Sequence, residues 1–203
     1  MFARSIFRHA VRSFEGAHPR IHETAFVAPT ADVIGKVRIG KDSSIWYNCV
    51  LRGDVNTISI GERTNIQDGT IIHVRSGEKL SGSNPNETKI GDDVTIGHAA
   101  IIHACTLEDR SFIGMQACIM DFAVVESEAM IGAGALVTPR TVVKSGELWA
   151  GRPAKKLRDL REDERKNIQD SATGYVTFGL RHKEGSNYLS GDHEDRAATK
   201  IEY

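Results

Sequence analysis

Three histidines lie in two short aliphatic stretches of this 203-residue chain: His73 in "GTIIHV", and His98 and His103 in "IGHAAIIHAC". Imidazole is the commonest metal ligand in proteins. Three neutral imidazoles and an open fourth position form the arrangement of a catalytic zinc, which lowers the pKa of bound water from 15.7 to about 7. The spacing opposes a shared site at first sight. Side chains five apart diverge on a helix, where same-face neighbours are three or four apart. On a plain strand they point to opposite faces.

The scaffold that could reconcile them is written in a period of six. Aliphatic residues recur at Val27, Val33, Ile39, Ile45 and Leu51. After a three-residue slip they resume at Ile60, Ile66 and Ile72, and again at Ile90, Ile96 and Ile102. After a one-residue deletion they continue at Leu107, Ile113, Ile119, Val125, Ile131, Val137 and Val143. The residue after the aliphatic is often glycine, as at Gly40, Gly61, Gly91, Gly97, Gly114 and Gly132. The fourth is usually small or β-branched, as at Ala31, Ser43, Cys49, Thr70, Thr106 and Ala117. A period of six fits a short strand plus a corner. Three such units close one turn of a triangular prism, and stacked turns pair in parallel about 4.8 Å apart. With the closing "LWAGRPAKKLR" (148–158), the pattern resembles the hexapeptide-repeat superfamily. The resemblance implies an all-β, left-handed parallel β-helix with a C-terminal α-helix. The hand comes from the family, since parallel crossovers are otherwise right-handed.

The lattice places the histidines. If residues 74–89 bulge from a corner, Ile72 and Ile90 are consecutive sites, and Ile102 lies one full turn after Ile72. His73 and His103 then stack on one face, with Arg52 in the same column. His98 belongs to the preceding hexad and the next face, which it shares with Gln67. The three rings converge only if a second copy docks its His98 face on the first copy's His73/His103 face. A head-to-tail contact of that kind closes as a ring, and a triangular prism suits a homotrimer with metal sites shared between subunits.

The segments "RGDVNTISIGERTNIQDGTIIHV" (52–74), "IGHAAIIH" (96–103) and "FIGMQA" (112–117) look like the gamma-class carbonic anhydrases. That resemblance implies His73, His98 and His103 as ligands of Zn2+, with Fe2+ or Co2+ as other options. It implies Arg52, Asp54 and Asp68 in a charged network across the interface, Gln67 near the metal-bound water, and Tyr175 close to the site. The implied reaction is hydration of CO2 to bicarbonate by metal-bound hydroxide. One position departs from the family pattern: Val55 stands where a proton-shuttling glutamate follows Arg-Gly-Asp. Glu78 and Glu87 in the 74–89 loop have no assigned role. The alternatives are a hexapeptide-repeat acyl- or acetyltransferase, an acyl-CoA thioesterase, and a non-catalytic metal-binding assembly subunit.

Composition sets the outer bounds. The net charge is −1, so no basic surplus points to nucleic acid or an anionic membrane surface. No apolar run approaches the roughly 18 residues that span a bilayer. Cys49, Cys105 and Cys118 are scattered singly, which favours a reducing compartment such as the cytoplasm. Arg4, Arg8 and Arg12 give residues 1–16 a faint likeness to a mitochondrial presequence. The expected organisation is an N-terminal segment (1–19), the β-helix (20–150), a C-terminal helix within 151–182 and a polar tail (183–203). Residues 154–172, rich in helix formers, with Leu157, Leu160 and Ile168 at helical spacing, are the expected helix. The off-lattice histidines His9, His18, His22, His182 and His193 are expected to be solvated.

Overall fold

The fold is that of a computed structural model, which describes residues 10–77 and 86–185. His9, His193, Glu78, most of the 1–16 segment and the tail beyond Gly185 lie outside the described residues.

The period of six is realised as register. On one face Val33, Leu51, Ile72, Ile102, Ile119 and Val137 are successive Cα partners in parallel ladders. On the second the column is Val27, Ile45, Ile66, Ile96, Ile113 and Ile131. On the third it is Ile39, Ile60, Ile90, Leu107, Val125 and Val143. The chain is the expected left-handed parallel β-helix, closed by one C-terminal helix. Every lattice residue except Val27 is buried. Burying such a side chain stabilises by about 1.5–3 kcal/mol, and each turn packs only against its neighbours.

The corners explain the rest of the hexad. The third residue after most lattice positions takes a positive φ, including Asp42, Asn48, Asp93, Gln116 and Phe122. Left-handed backbone costs a non-glycine residue roughly 1–2 kcal/mol, so corners form only because the stacked turns over-determine them. The fourth residue is small because it tucks inside the corner. There the Ser43 and Thr64 hydroxyls donate to the carbonyls of Gly61 and Gly91, both at 2.7 Å. At the one-residue deletion the pattern differs from expectation. Thr106 lies on a strand, and Ala104 and Cys105 fill the corner. Gly97 follows its lattice residue because a Cβ there would lie 2.6 Å from the Met115 nitrogen of the next turn.

Two long strands, Asp32–Ile39 and Val50–Ile60, run round a corner and join two faces into one sheet. The three-residue slip lies in the second. Gly35 pairs with Gly53, and the next pair is Val37 with Ile58, so residues 54–57 bulge opposite Lys36 alone.

Both ends correct the expected boundaries. Ala10–Arg12 pairs in parallel with residues 32–34, so the sheet begins before residue 20. The helix does not start at 154. Ala154–Asp159 is a strand, antiparallel to Glu147–Gly151, and leaves Leu157 63% exposed. The last turn presents an open edge, and pairing it outweighs the helix propensity of the segment. The helix is Glu162–Gly185. Glu164, in its first turn, accepts the Arg161 amide at 2.9 Å and both Arg158 terminal nitrogens at 2.7 and 2.8 Å. That is half of a capping box, clamped to the strand before it. Ile168, Ala172 and Gly179 are buried on the face toward strands Phe26–Val27, Ser44–Ile45, Asn65–Ile66 and Thr95–Ile96. His182, on the helix, is exposed as expected and also makes ring contacts. Its ring packs on Trp46 (4.8 Å), Phe26 (5.8 Å) and Tyr47 (5.8 Å), and its Nδ1 is 3.0 Å from the Tyr47 hydroxyl. His18 and His22 are exposed, as expected.

Candidate metal centre

The lattice column of Arg52, His73 and His103 is observed residue for residue in the ladders. The two imidazoles lie 5.2 Å apart between centroids, with His73 Nδ1 3.3 Å from His103 Nε2. Each outer nitrogen meets a carboxylate. His73 Nε2 is 3.1 Å from Asp54 Oδ1, and His103 Nδ1 is 2.5 Å from Asp121 Oδ1. The bulge at 54–57 lets Asp54 reach this position, where it also takes Arg52 Nη1 and the Val55 amide (2.8 Å).

These partners assign the tautomers. An ionised carboxylate only accepts, so the outer nitrogens carry the protons. With both rings neutral, the two inner nitrogens are acceptors, facing each other across 3.3 Å. That is repulsive unless a cation lies between them. Two imidazole nitrogens about 2.0–2.1 Å from a tetrahedral zinc are themselves about 3.3–3.4 Å apart. The separation of the pair therefore matches that of two imidazole ligands on one zinc. Burial lowers the His73 pKa, the Arg52 charge adds to this, and the bond to Asp54 opposes it. Burial thereby favours the neutral ring. For Asp54, burial raises the pKa, but the bonds from His73, the Val55 amide and Arg52 outweigh it and hold the carboxyl below its usual range.

The other residues named from sequence gather round the next corner. His98 Nδ1 is 2.9 Å from Asp68 Oδ2, whose Oδ1 accepts the Tyr47 amide at 3.2 Å. Gln67 is buried and donates to Asn65 Oδ1 at 3.1 Å. Asn65 donates to Thr95 Oγ1 (2.9 Å), which is 3.1 Å from Ser171 Oγ on the helix. Tyr175 packs edge-on against Trp46 at 5.4 Å. Burial, then the Asp68 charge, raises its pKa, so the phenol stays a donor. One chain thus brings together Arg52, Asp54, His73 and His103, and separately pairs His98 with Asp68, whose charge reaches Tyr175, while Gln67 is bonded to Asn65. Arg52 pairs with Asp54; Asp68 pairs with His98 instead. Val55 is 48% exposed, and Glu87 is tied to Lys89 at 2.5 Å.

Among the described residues, no group of three or more His, Cys, Asp or Glu is placed to hold a metal ion within one chain. Sequence reading missed Asp121. The lattice held the signal: Asp121 is two residues past Ile119, the partner of Ile102, just as Asp68 and His98 stand two past Ile66 and Ile96.

No protein-family model matches the chain. It is 50% identical over 183 residues to Gamma carbonic anhydrase 1, mitochondrial, of Arabidopsis thaliana, covering 89% of this chain and 66% of that one, just under two thirds of the relative's length. It is 39% identical over 170 residues to a carbonic anhydrase of Geobacillus kaustophilus, covering 84% of this chain and 89% of that protein. A crystal structure of a hexapeptide transferase family protein from Anaplasma phagocytophilum superposes with a TM-score of 0.79 at 47% identity, over 85% of this chain and 97% of that one. Likeness of this degree, over nearly the full length of the Geobacillus protein, places the chain in the gamma carbonic anhydrase family.

Proposed function

We propose that the chain is a homotrimeric, metal-dependent carbonic anhydrase whose three centres each combine His73 and His103 of one subunit with His98 of the next. The observation that carries this reading is the pair of facing acceptor nitrogens at 3.3 Å, each backed by a carboxylate. Carboxylate-backed imidazole is the usual form of a metal-binding histidine, and His98 with Asp68 has the same form. Exposed aliphatic side chains flank both halves and support docking of a second copy. Ile71 and Ile101, in register beside the histidine pair, are 46% and 47% exposed, and Met115 beside the His98 corner is 54% exposed.

Zinc bound there supplies Lewis acidity, lowering the pKa of water from 15.7 to about 7; iron or cobalt fits the same ligands. The chain's own residues do the rest. Asp54 holds His73, and Asp68 holds His98. The Gln67 amide, fixed by Asn65, offers its remaining polar atoms to orient water or CO2. Tyr175 offers a phenolic hydrogen bond. Arg52, Asp54 and Asp68 form the charged seam between subunits. With valine at 55, no carboxylate follows Asp54 to carry the proton away, so proton release limits turnover.

A transferase on the same prism is the second reading, favoured by the name of the Anaplasma neighbour. Metal content of the purified trimer, followed by stopped-flow CO2 hydration and acyl-CoA turnover on one preparation, separates the two. Zinc near one per subunit with CO2 hydration supports the proposal. A metal-free trimer, with metal content unaffected by His98→Ala, overturns it. Free thiols at Cys49, Cys105 and Cys118 support a reducing compartment, the cytoplasm first. The relative named mitochondrial supports the organelle instead, and fractionation decides.

A further inference from the structure

We propose that Asp121 is a positioning residue: it fixes His103 in the Nδ1–H tautomer and aims Nε2 at the shared centre. The inference rests on the metal-centre reading above. Asp121 Oδ1 is 2.5 Å from His103 Nδ1, the shortest of the three histidine–carboxylate contacts; the others are 3.1 Å at His73 and 2.9 Å at His98. A positive charge lies near the carboxylate. Arg75 Nη1 lies 3.8 Å from its second oxygen. Arg75 also sits over the Phe122 ring at 5.2 Å, and Arg140 sits over it at 5.1 Å. Phe122 holds a corner with φ 63°, so the chain accepts left-handed backbone at a bulky residue directly after Asp121. The main chain there is pinned from two sides: the Phe122 amide donates to Ala104 O at 2.7 Å, and the Arg140 amide donates to Asp121 O at 3.0 Å. The corner therefore fixes the main chain of Asp121, and the contact with His103 Nδ1 holds its carboxylate.

The chemistry assigns the role. With Asp121 accepting from Nδ1–H, Nε2 keeps its lone pair and faces His73 Nδ1. Without that acceptor the imidazole can put its proton on Nε2. It then donates to His73 and presents no lone pair to an ion. Asp121 touches neither substrate nor the reacting atoms.

The test uses the full chain, wild type against Asp121→Asn and Asp121→Ala, with Asp121→Glu as the conservative variant. Two readouts are independent of turnover. The first is the His103 tautomer in metal-stripped protein, from long-range 1H–15N correlation. The second is zinc affinity by competition with a chromophoric chelator. Expected are a shift of His103 toward the Nε2–H tautomer and a loss of zinc affinity of about 10–100-fold, partly restored by glutamate. An unchanged tautomer and an unchanged affinity in folded Asn and Ala variants overturn the proposal. So does a fall in thermal stability with the tautomer intact, which assigns Asp121 a structural role only. If wild type itself binds no zinc, the metal-centre reading fails. The tautomer measurement still decides for or against Asp121 as the residue that orients His103.

Discussion

His73 and His103 stand on one face of the prism, in register, with side chains 22% and 32% exposed. His98 stands round the corner, 46% exposed beside an Asp68 that is 42% exposed. The first half is assembled within one chain: rings and carboxylates already meet there. The second half has a histidine, an orienting acid, a buried glutamine and a tyrosine, but no further metal-ligating group joins them among the described residues. The difference teaches where specificity lies. The pair is placed by backbone register, which tolerates no half-steps. In the proposed trimer the third ring is placed by docking, so metal affinity and assembly are linked there, each strengthening the other.

The largest expected effect tests that division directly. His103→Ala and His98→Ala each reduce bound zinc to background, measured on purified protein. Co-expressed in equal amounts, they recover about a quarter of wild-type zinc, because in a head-to-tail ring one contact in four brings together the two intact halves. Recovery of none breaks the comparison and puts all three ligands in one chain. Next, Asp54→Asn is expected to weaken zinc binding by about 10–100-fold. Asp68→Asn falls at the lower end, near tenfold, because its carboxylate is more exposed. Equal losses in chelator competition would erase the distinction between a preset half and a docked one.

Val55→Glu restores a carboxylate beside the preset half. Turnover in dilute buffer should rise by roughly tenfold, below the 10²–10⁴ of a fully positioned group, with zinc content unchanged. Added imidazole buffer should raise the wild-type rate more than the variant's. The smallest effect concerns the helix that carries Tyr175 to the His98 half. Arg158 first, then the Arg161 amide, lowers the Glu164 pKa from 4.5 to about 2. A depressed acid stabilises the fold above the unfolded value. The contribution is whole above pH 4.5 and is lost as pH falls toward about 2. The melting-temperature gap between wild type and Glu164→Gln should therefore close over that range. A constant gap would detach the clamp from Glu164 ionisation.

Much of this could be read from the chain alone, for a physical reason. A solenoid repeats one local rule, so the column of Leu51, Ile72 and Ile102 follows by counting, and Arg52, His73 and His103 follow with it. What counting cannot supply is anything decided by long side chains or by an open edge. Asp54 reaches His73 only through the bulge at 54–57. Asp121 reaches His103 from the next turn, and a lattice of Cα positions does not say which way a carboxylate leans. Residues 154–159 have helical composition yet form a strand, because an unpaired edge is a tertiary fact. His182 is a surface residue of the helix, as its sequence suggests, but its packing on three aromatic rings of the first turns is not written in the helix.

The bulge opposite Lys36 carries one more consequence. Ile60 pairs with Ile39 and Ile90 as if no extra residues preceded it, and Ile90 pairs with Ile60 and Leu107 although the sequence spacing from Ile72 to Ile90 is far longer than one hexad. A stacked turn is indifferent to the length of whatever hangs from its corner. The scaffold can therefore be inherited intact while its chemistry is acquired or lost by insertion, and the reach of Asp54 to His73 is one such appendage.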